Sequence, residues 1–197
     1  MPRVVGQIDE KKSEAILEAA MALFSEKGAA ASMEQIARRA GVSKQTLYNR
    51  YASKVEIGRA MAERRSDAIT APLRTGGEPV DVLTALAQAM LEKLCTAEGR
   101  AAMRGVALIS PQAPDLAQAV YHAGPGESLR RLGLWLAEQD ARGALRVPDT
   151  TTAAEMFTGM TMGHGYLRGI LGIDEPEIDH SLRARETAER FIRAFAP

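Results

Sequence analysis

The sequence contains one cysteine, Cys95, among 197 residues, so it cannot form an internal disulfide and it suits a reducing compartment. It has no run of about 18 apolar residues of the kind a membrane-spanning helix needs. It also does not open with a charged segment followed by an apolar one, as a secretory signal does. These absences predict a cytoplasmic protein with no membrane partner.

The sequence also lacks the residue patterns of catalytic and metal-binding sites. The three histidines, at positions 122, 164 and 180, have no close acidic or cysteine partners in the sequence, so no metal site is predicted. There is no glycine-rich phosphate loop, no nucleophile elbow and no paired acid and base, and "AGPGE" at 123–127 reads as a turn. We therefore expect no catalytic residues, no cofactor and no enzymatic activity. A measurable turnover on any substrate would reverse this expectation.

Strand-type alternation is not sustained anywhere, and aromatic residues make up only 5% of the chain, whereas apolar residues recur at steps of three and four. The fold class we predict is all-α. The N-terminal part is expected to be a three-helix helix-turn-helix domain, and a larger helical domain follows it. The predicted helices span residues 11–27, 32–40, 43–51, 54–67, 82–96, 98–110, 116–139 (interrupted at 122–127), 151–171 and 177–195.

Local signals in the first sixty residues define the helix-turn-helix. Gly28 ends the first helix, Ser32 followed by Gln35 matches a capping box, Gly41 makes a tight turn, and Ser43 caps the next helix. Two short helices joined by a glycine turn behind a longer one form this motif. We therefore predict a DNA-binding domain over residues 1–58, with a flexible arm at 1–10, and the larger domain over residues 59–197.

Charge is unevenly distributed although the net charge is zero. Residues 1–65 hold 12 Lys/Arg and 8 Asp/Glu, for a net charge of +4, and the remaining residues have a net charge of −4. No acidic residue occurs between Glu34 and Glu56. Positive charge is concentrated where a polyanion would be bound.

The segment "SKQTLYNRY" at 43–51 exposes many polar groups beside few apolar ones. On a helix, Leu47 and Tyr51 share one face, which leaves the polar residues near the N-terminus free to reach base edges in the major groove. Tyrosine and basic side chains suit phosphates, as do backbone N–H groups at helix starts. The predicted DNA-binding residues are Ser32, Ser43, Lys44, Gln45, Thr46, Tyr48, Asn49, Arg50 and Lys54. Helix-turn-helix geometry also occurs in proteins that do not bind DNA.

"ILEAAMALFSEKG" and "SMEQIARRAGVSKQTLYNRYASK" together resemble the N-terminal region of the TetR family of bacterial transcriptional regulators, over about residues 12–60. The resemblance implies a homodimer that binds double-stranded, near-palindromic operator DNA, usually as a repressor. It also implies that the larger helical domain is a ligand-binding and dimerisation domain, and that a small-molecule effector bound there releases the DNA. Many relatives have glycine at the position of Gln45 and His-Tyr at Asn49-Arg50, so the resemblance does not extend to the operator sequence.

The C-terminal helices carry stripes of apolar residues, and the sequence leaves open which surface packs against each stripe. Helix 151–171 and the last helix are predicted to form a four-helix dimer interface, and the alternative is that they complete a monomer core. A methionine-rich apolar pocket is expected to bind the effector. Its candidate residues are Met90, Leu94, Met103, Tyr121, Trp135, Phe157, Met160 and His164. These residues also suit an ordinary core, and a regulator controlled by a protein partner, or by no ligand, stays an alternative.

Overall fold

The computed structural model describes the backbone of residues 5–173 and 179–197 and the side chains from residue 10 onward within them. These described residues contain helices and no strand, which confirms the all-α fold class. None of the described helices is both long and apolar enough to cross a membrane. The α-helices are α1 (Val5–Lys27), α2 (Met33–Arg39), α3 (Lys44–Tyr48), α4 (Lys54–Thr70), α5 (Pro79–Leu94), α6 (Ala97–Ile109), α7 (Pro114–Tyr121), α8 (Glu127–Ala141), α9 (Thr150–Leu171) and α10 (His180–Ala194). The interruption predicted at 122–127 is a π-helical turn, His122–Gly126.

Most predicted helix bounds lie within three residues of those in the structure, but the first helix begins six residues earlier than predicted and the predicted start of the last falls outside the described residues. α1 begins at Val5, so residues 5–10, which were expected to form an arm, are helical. No proline separates them from the periodic segment, and helical hydrogen bonding therefore continues upstream. The last helix was predicted to start at Glu177, which lies outside the described residues. In α10, the carboxylate of Asp179 accepts hydrogen bonds from the N–H groups of Ser181 and Leu182 at 2.9 and 3.0 Å.

The described residues form two compact units. The first contains the chain up to Ala62 together with Ala101–Ala123. Within it, α4 and α7 lie so close together at Gly58 that a Cβ atom there would be 2.5 Å from the Cδ1 atom of Leu116. The predicted boundary at residue 58 stays a prediction. The buried apolar residues of α1 to α4 are Ile16, Ala19, Ala20, Leu23, Ala31, Met33, Ile36, Ala37, Leu47 and Ile57.

The second unit contains Glu63–Arg100 and Gly124–Pro197. In it α5 packs against α9 and α10, and α8 packs against α9. Phe157 of α9 and Phe191 of α10 meet edge to face with ring centroids 5.2 Å apart. Among its buried residues are Leu83, Leu86, Ala87, Leu91, Leu136, Phe157, Ala184, Ala188 and Phe191.

A break interrupts α9 at Gly163, whose φ of 54° and ψ of −166° are not helical. The bend leaves backbone carbonyls of the preceding turn without their usual helical donors. Arg183 of α10 supplies donors instead, since its Nε lies 2.7 Å from the carbonyl oxygen of Thr161 and its Nη2 lies 3.2 Å from that of Met160. The break is therefore capped by a side chain from a neighbouring helix.

A charged network ties the start of α8 to the end of α4. Glu127 accepts hydrogen bonds of 2.7 Å from both Arg130 and Arg131. Arg131 also pairs with Asp67 and donates to the hydroxyl of Thr70 at 2.9 Å. The bonds from Arg130 and then Arg131 lower the pKa of Glu127 from 4.5 to about 2.

The positive φ at Gly163 predicts that Gly163→Ala destabilises the second unit. An alanine there is strained, and its Cβ would lie 2.3 Å from Nη2 of Arg183, so the guanidinium would have to move. We expect a loss of about 1–3 kcal/mol in the free energy of unfolding, measured with urea. The matched control is Gly105→Ala in α6, where a Cβ meets nothing within 4 Å and which should be neutral or stabilising. Equal stability of the two variants would contradict this reading of Gly163.

The lowered pKa of Glu127 predicts a pH dependence of stability. Its folded-state pKa is about 2 against a usual 4.5, so its contribution is fully present above about pH 4.5 and is lost as the pH falls toward 2. The stability difference between wild type and Glu127→Gln, measured by urea unfolding, should therefore be larger at pH 7 than at pH 2.5. A difference that does not change with pH would contradict the prediction.

Candidate nucleic-acid interface

The turn between α2 and α3 is defined by short-range hydrogen bonds. The Ser32 hydroxyl accepts from the Gln35 N–H at 3.2 Å, and the Gln35 side chain accepts from the Ser32 N–H at 3.1 Å, which completes the predicted capping box. Gly41 has a φ of +66°, as a tight left-handed turn requires. The N–H of Val42 then bonds to the carbonyl of Ala37 at 3.0 Å. The glycine turn thus directs the chain into α3.

Helix α3 is shorter than predicted. Its Ser43 cap accepts from the N–H of Thr46 at 3.0 Å, and Leu47 is fully buried. The helix ends at Tyr48, whereas the sequence pattern predicted residue 51. α4 begins at Lys54 and has its own cap, since the Ser53 hydroxyl accepts from the N–H of Glu56 at 3.3 Å. Asn49 is therefore the C-cap of α3, and Arg50 lies beyond the helix.

Most polar side chains of α3 and its caps are exposed, and several of them form side-chain hydrogen bonds with one another. Gln45 donates through Nε2 to Oδ1 of Asn49 at 2.6 Å. The hydroxyl groups of Ser43 and Thr46 are 2.8 Å apart. Tyr48 is 44% exposed although it is a large aromatic residue. Such a surface offers hydroxyl, amide and ammonium groups of the types that contact bases and phosphates.

Lys54 and Arg50, which were predicted to contact phosphates, fasten this region to α1. The ammonium group of Lys54 donates to the carbonyl oxygen of Ala29 at 2.6 Å, just after the end of α1. The guanidinium of Arg50 donates to the hydroxyl of Ser13 at 3.0 Å. An ammonium group has three hydrogens, so the bond to Ala29 does not use all the donors of Lys54. Lys54 and Arg50 therefore have a structural role in this domain. Their contacts with DNA phosphates stay a prediction.

Glu34 is a site residue that the sequence patterns did not indicate. Its Oε1 lies 3.5 Å from Nζ of Lys44, and both side chains are at least half exposed. A hydrogen bond from its own backbone N–H, and then the charge of Lys44, lowers the pKa of Glu34. Ten residues separate the pair, so no helical spacing links them. They line a groove of about 340 Å³ together with Gln35, Ala37, Arg38 and Val42.

The eight ligand-binding candidates fall into different surroundings. In the second unit, Met90, Trp135 and Phe157 are buried core residues, and Leu94 packs partly buried against them. Met160 and His164 of α9 are exposed. The other two candidates belong to the first unit, where Met103 is partly buried and Tyr121 is exposed. The stripe on α9 is thus divided between the core and the surface.

Comparisons with known proteins agree with this geometry. Residues 16–61 match the family model of bacterial regulatory proteins of the tetR family, and residues 81–197 match the model of the AefR-like transcriptional repressor C-terminal domain. Comparison with curated proteins finds no match.

Solved structures with similar folds cover nearly the whole chain. One, from Mesorhizobium loti MAFF303099 and assigned to the TetR family, is 23% identical with a TM-score of 0.78, covering 96% of this chain and 98% of its own. The flavonoid-responsive regulator FrrA is 28% identical with a TM-score of 0.73 and covers 95% and 98%. SmeT, solved as a complex with triclosan, is 22% identical with a TM-score of 0.64 and covers 94% and 92%.

The bond from Lys54 to Ala29 predicts that Lys54→Met lowers stability even without DNA. Removing a charged donor leaves a partly buried carbonyl unpaired, so we expect a loss of about 1–3 kcal/mol on urea unfolding. Lys44→Met is the matched control, because its ion pair with Glu34 is exposed to solvent, and its loss should change the urea midpoint much less. If Lys54 also contacts a phosphate, the salt dependence of DNA binding should fall by about one unit in Lys54→Met. Unchanged urea midpoints for both variants would refute the structural role.

Proposed function

Because this chain belongs to the TetR family of bacterial regulatory proteins, we propose that it is a homodimeric repressor that binds a near-palindromic operator. A small, largely apolar effector in the C-terminal domain releases it from the DNA. The family membership makes it a DNA-binding transcriptional regulator, and the dimer, the repression and the effector are our proposal.

The geometry of the α2–turn–α3 segment is the main support for the proposal. Leu47 anchors α3 in the core, so Lys44, Gln45 and Tyr48 face outward from a short, capped helix. The surrounding residues 35–55 contain no acid, which favours approach to phosphates. A recognition helix that enters the major groove needs this combination of a buried anchor and exposed polar side chains.

Exposed apolar side chains on α9 and α10 support the dimer. Met156 and Met160 lie four residues apart before the break at Gly163, and Leu167 and Leu171 lie four residues apart after it. These four side chains are 40–65% exposed, and Leu182 of α10 is 58% exposed. A second copy of these helices would cover them, as in a four-helix interface. Two recognition helices are then available for two half-sites about one DNA turn, roughly 34–36 Å, apart.

Release by an effector follows from linkage. If the effector prefers a dimer whose recognition helices are spaced differently, it lowers operator affinity by the same factor as the operator lowers effector affinity. FrrA is flavonoid-responsive and SmeT forms a complex with triclosan, which supports a small organic effector here. The candidate residues named above remain predictions for its binding site.

The direct test is fluorescence anisotropy of the full-length protein on the DNA upstream of its own gene and on a scrambled duplex, at two salt concentrations. We expect two chains per duplex and a preference of about a thousandfold for the upstream fragment. Tyr48→Ala should weaken binding to all sequences, because it removes an exposed phosphate-contacting group. The matched control, Tyr121→Ala, removes another exposed tyrosine, on α7, and should bind as wild type does. Equal and weak affinity of the wild type for both fragments would contradict an operator in this region.

The same assay tests the effector. Apolar compounds that raise the melting temperature of the protein should also displace the upstream fragment. A compound that stabilises the protein while operator affinity stays unchanged would contradict release by linkage. A protein that no compound stabilises, and that a partner protein displaces, would establish the alternative mode of control.

A further inference from the structure

Gln45 and Asn49 form a side-chain pair on the exposed face of α3. Gln45 lies in the first turn of the helix and Asn49 is its C-cap, four residues later, so their side chains share one face. The Nε2 group of Gln45 donates to Oδ1 of Asn49 at 2.6 Å. Both side chains are exposed on a helix whose other face is held by the fully buried Leu47. The pair therefore faces away from the core.

The hydrogen bond determines which groups of the Gln45 amide remain for a ligand. The amide has two Nε2 hydrogens and one Oε1 acceptor. Asn49 takes one hydrogen, and the other hydrogen remains together with Oε1. One donor and one acceptor side by side are the groups that pair with N7 and the N6 amino group of adenine in the major groove.

The backbone places Gln45 and Asn49 one helical turn apart. The N–H of Asn49 bonds to the carbonyl of Gln45 at 3.0 Å, so the two residues are linked by main chain as well as by side chain. An amide that is not held can rotate by 180° and present its groups in the opposite order. An amide that is already held by a hydrogen bond loses little conformational entropy when it binds DNA.

We propose that Asn49 is a positioning residue that orients Gln45 to read an adenine in each operator half-site, and that Asn49 does not itself read a base. The proposal rests on the proposed function, since it requires α3 to enter the major groove. Under this proposal two residues determine the specificity at one base-pair position. Gln45 contacts the base, and Asn49 acts by holding the amide of Gln45.

A selection from a randomised duplex library, with the full-length protein and sequencing of the bound fraction, tests this and does not require the operator sequence. The wild type should select an A·T pair at one position of each half-site. Gln45→Ala should reduce that preference by about tenfold or more, the discrimination expected of a bidentate contact. Asn49→Ala should reduce the preference at the same position, and the double variant should show no further loss.

Asn49→Asp separates orientation from direct contact. Its carboxylate still accepts the hydrogen bond from Gln45, so the adenine preference should persist, whereas repulsion by phosphates should weaken binding to all sequences alike. The matched control is Gln88→Ala in α5, which removes a similar amide donor from an exposed pair with Glu92, and it should change neither preference nor affinity. Thermal melting of each variant confirms that it is folded.

The outcomes separate this proposal from the function on which it rests. Loss of preference at a second, different position in Asn49→Ala would mean that Asn49 reads its own base, and would overturn the proposal. A Gln45 preference that survives Asn49→Ala would overturn it as well. Selection of no sequence by the wild type would refute the operator-binding function itself, and with it the role of Asn49.

Discussion

Burial of Leu47 is the constraint on which the DNA-binding surface depends. An isolated helix of five residues is unstable, because nucleation fixes several residues before hydrogen bonds repay that cost. α3 exists because Leu47 is fully removed from water and because Ser43 caps its first turn. Full burial of a leucine contributes about 1.5–3 kcal/mol, and a cap adds about 1 kcal/mol. One apolar anchor thus leaves the remaining side chains of α3 free for solvent or DNA.

The surroundings of α3 are organised before any ligand binds. Arg50 attaches the chain after α3 to Ser13 of α1, and Lys54 attaches the start of α4 to Ala29, just after the end of α1. The amide of Gln45 is held by Asn49. Binding that starts from ordered side chains loses less conformational entropy, so more of the contact energy appears as affinity and specificity. Ordered side chains on α3 suit a member of a DNA-binding family, because a protein that distinguishes base sequences needs hydrogen-bond donors and acceptors in fixed positions.

Features that depend on neighbouring residues were predictable, and features that depend on distant ones were not. The capping box at Ser32 and the glycine turn at Gly41 are determined by groups within a few residues, and both occur where they were predicted. The end of α3 was placed too late: the polar and apolar pattern continues to Tyr51, whereas the helix ends at Tyr48 with Asn49 as its C-cap. The partner of Lys54 lies 25 residues away, and no spacing rule connects the two.

The sequence by itself determined the all-α class, the helix-turn-helix and the concentration of positive charge, because caps, turns and apolar periodicity act locally. Only the tertiary structure decided which side of an apolar helix is covered. On α9 the predicted stripe was continuous, yet Phe157 is buried against Phe191 whereas Met160 is exposed. The break at Gly163 is likewise stabilised by Arg183, a residue of another helix. Periodicity shows that a face is apolar, but the packing of neighbouring helices determines how much of it is removed from water.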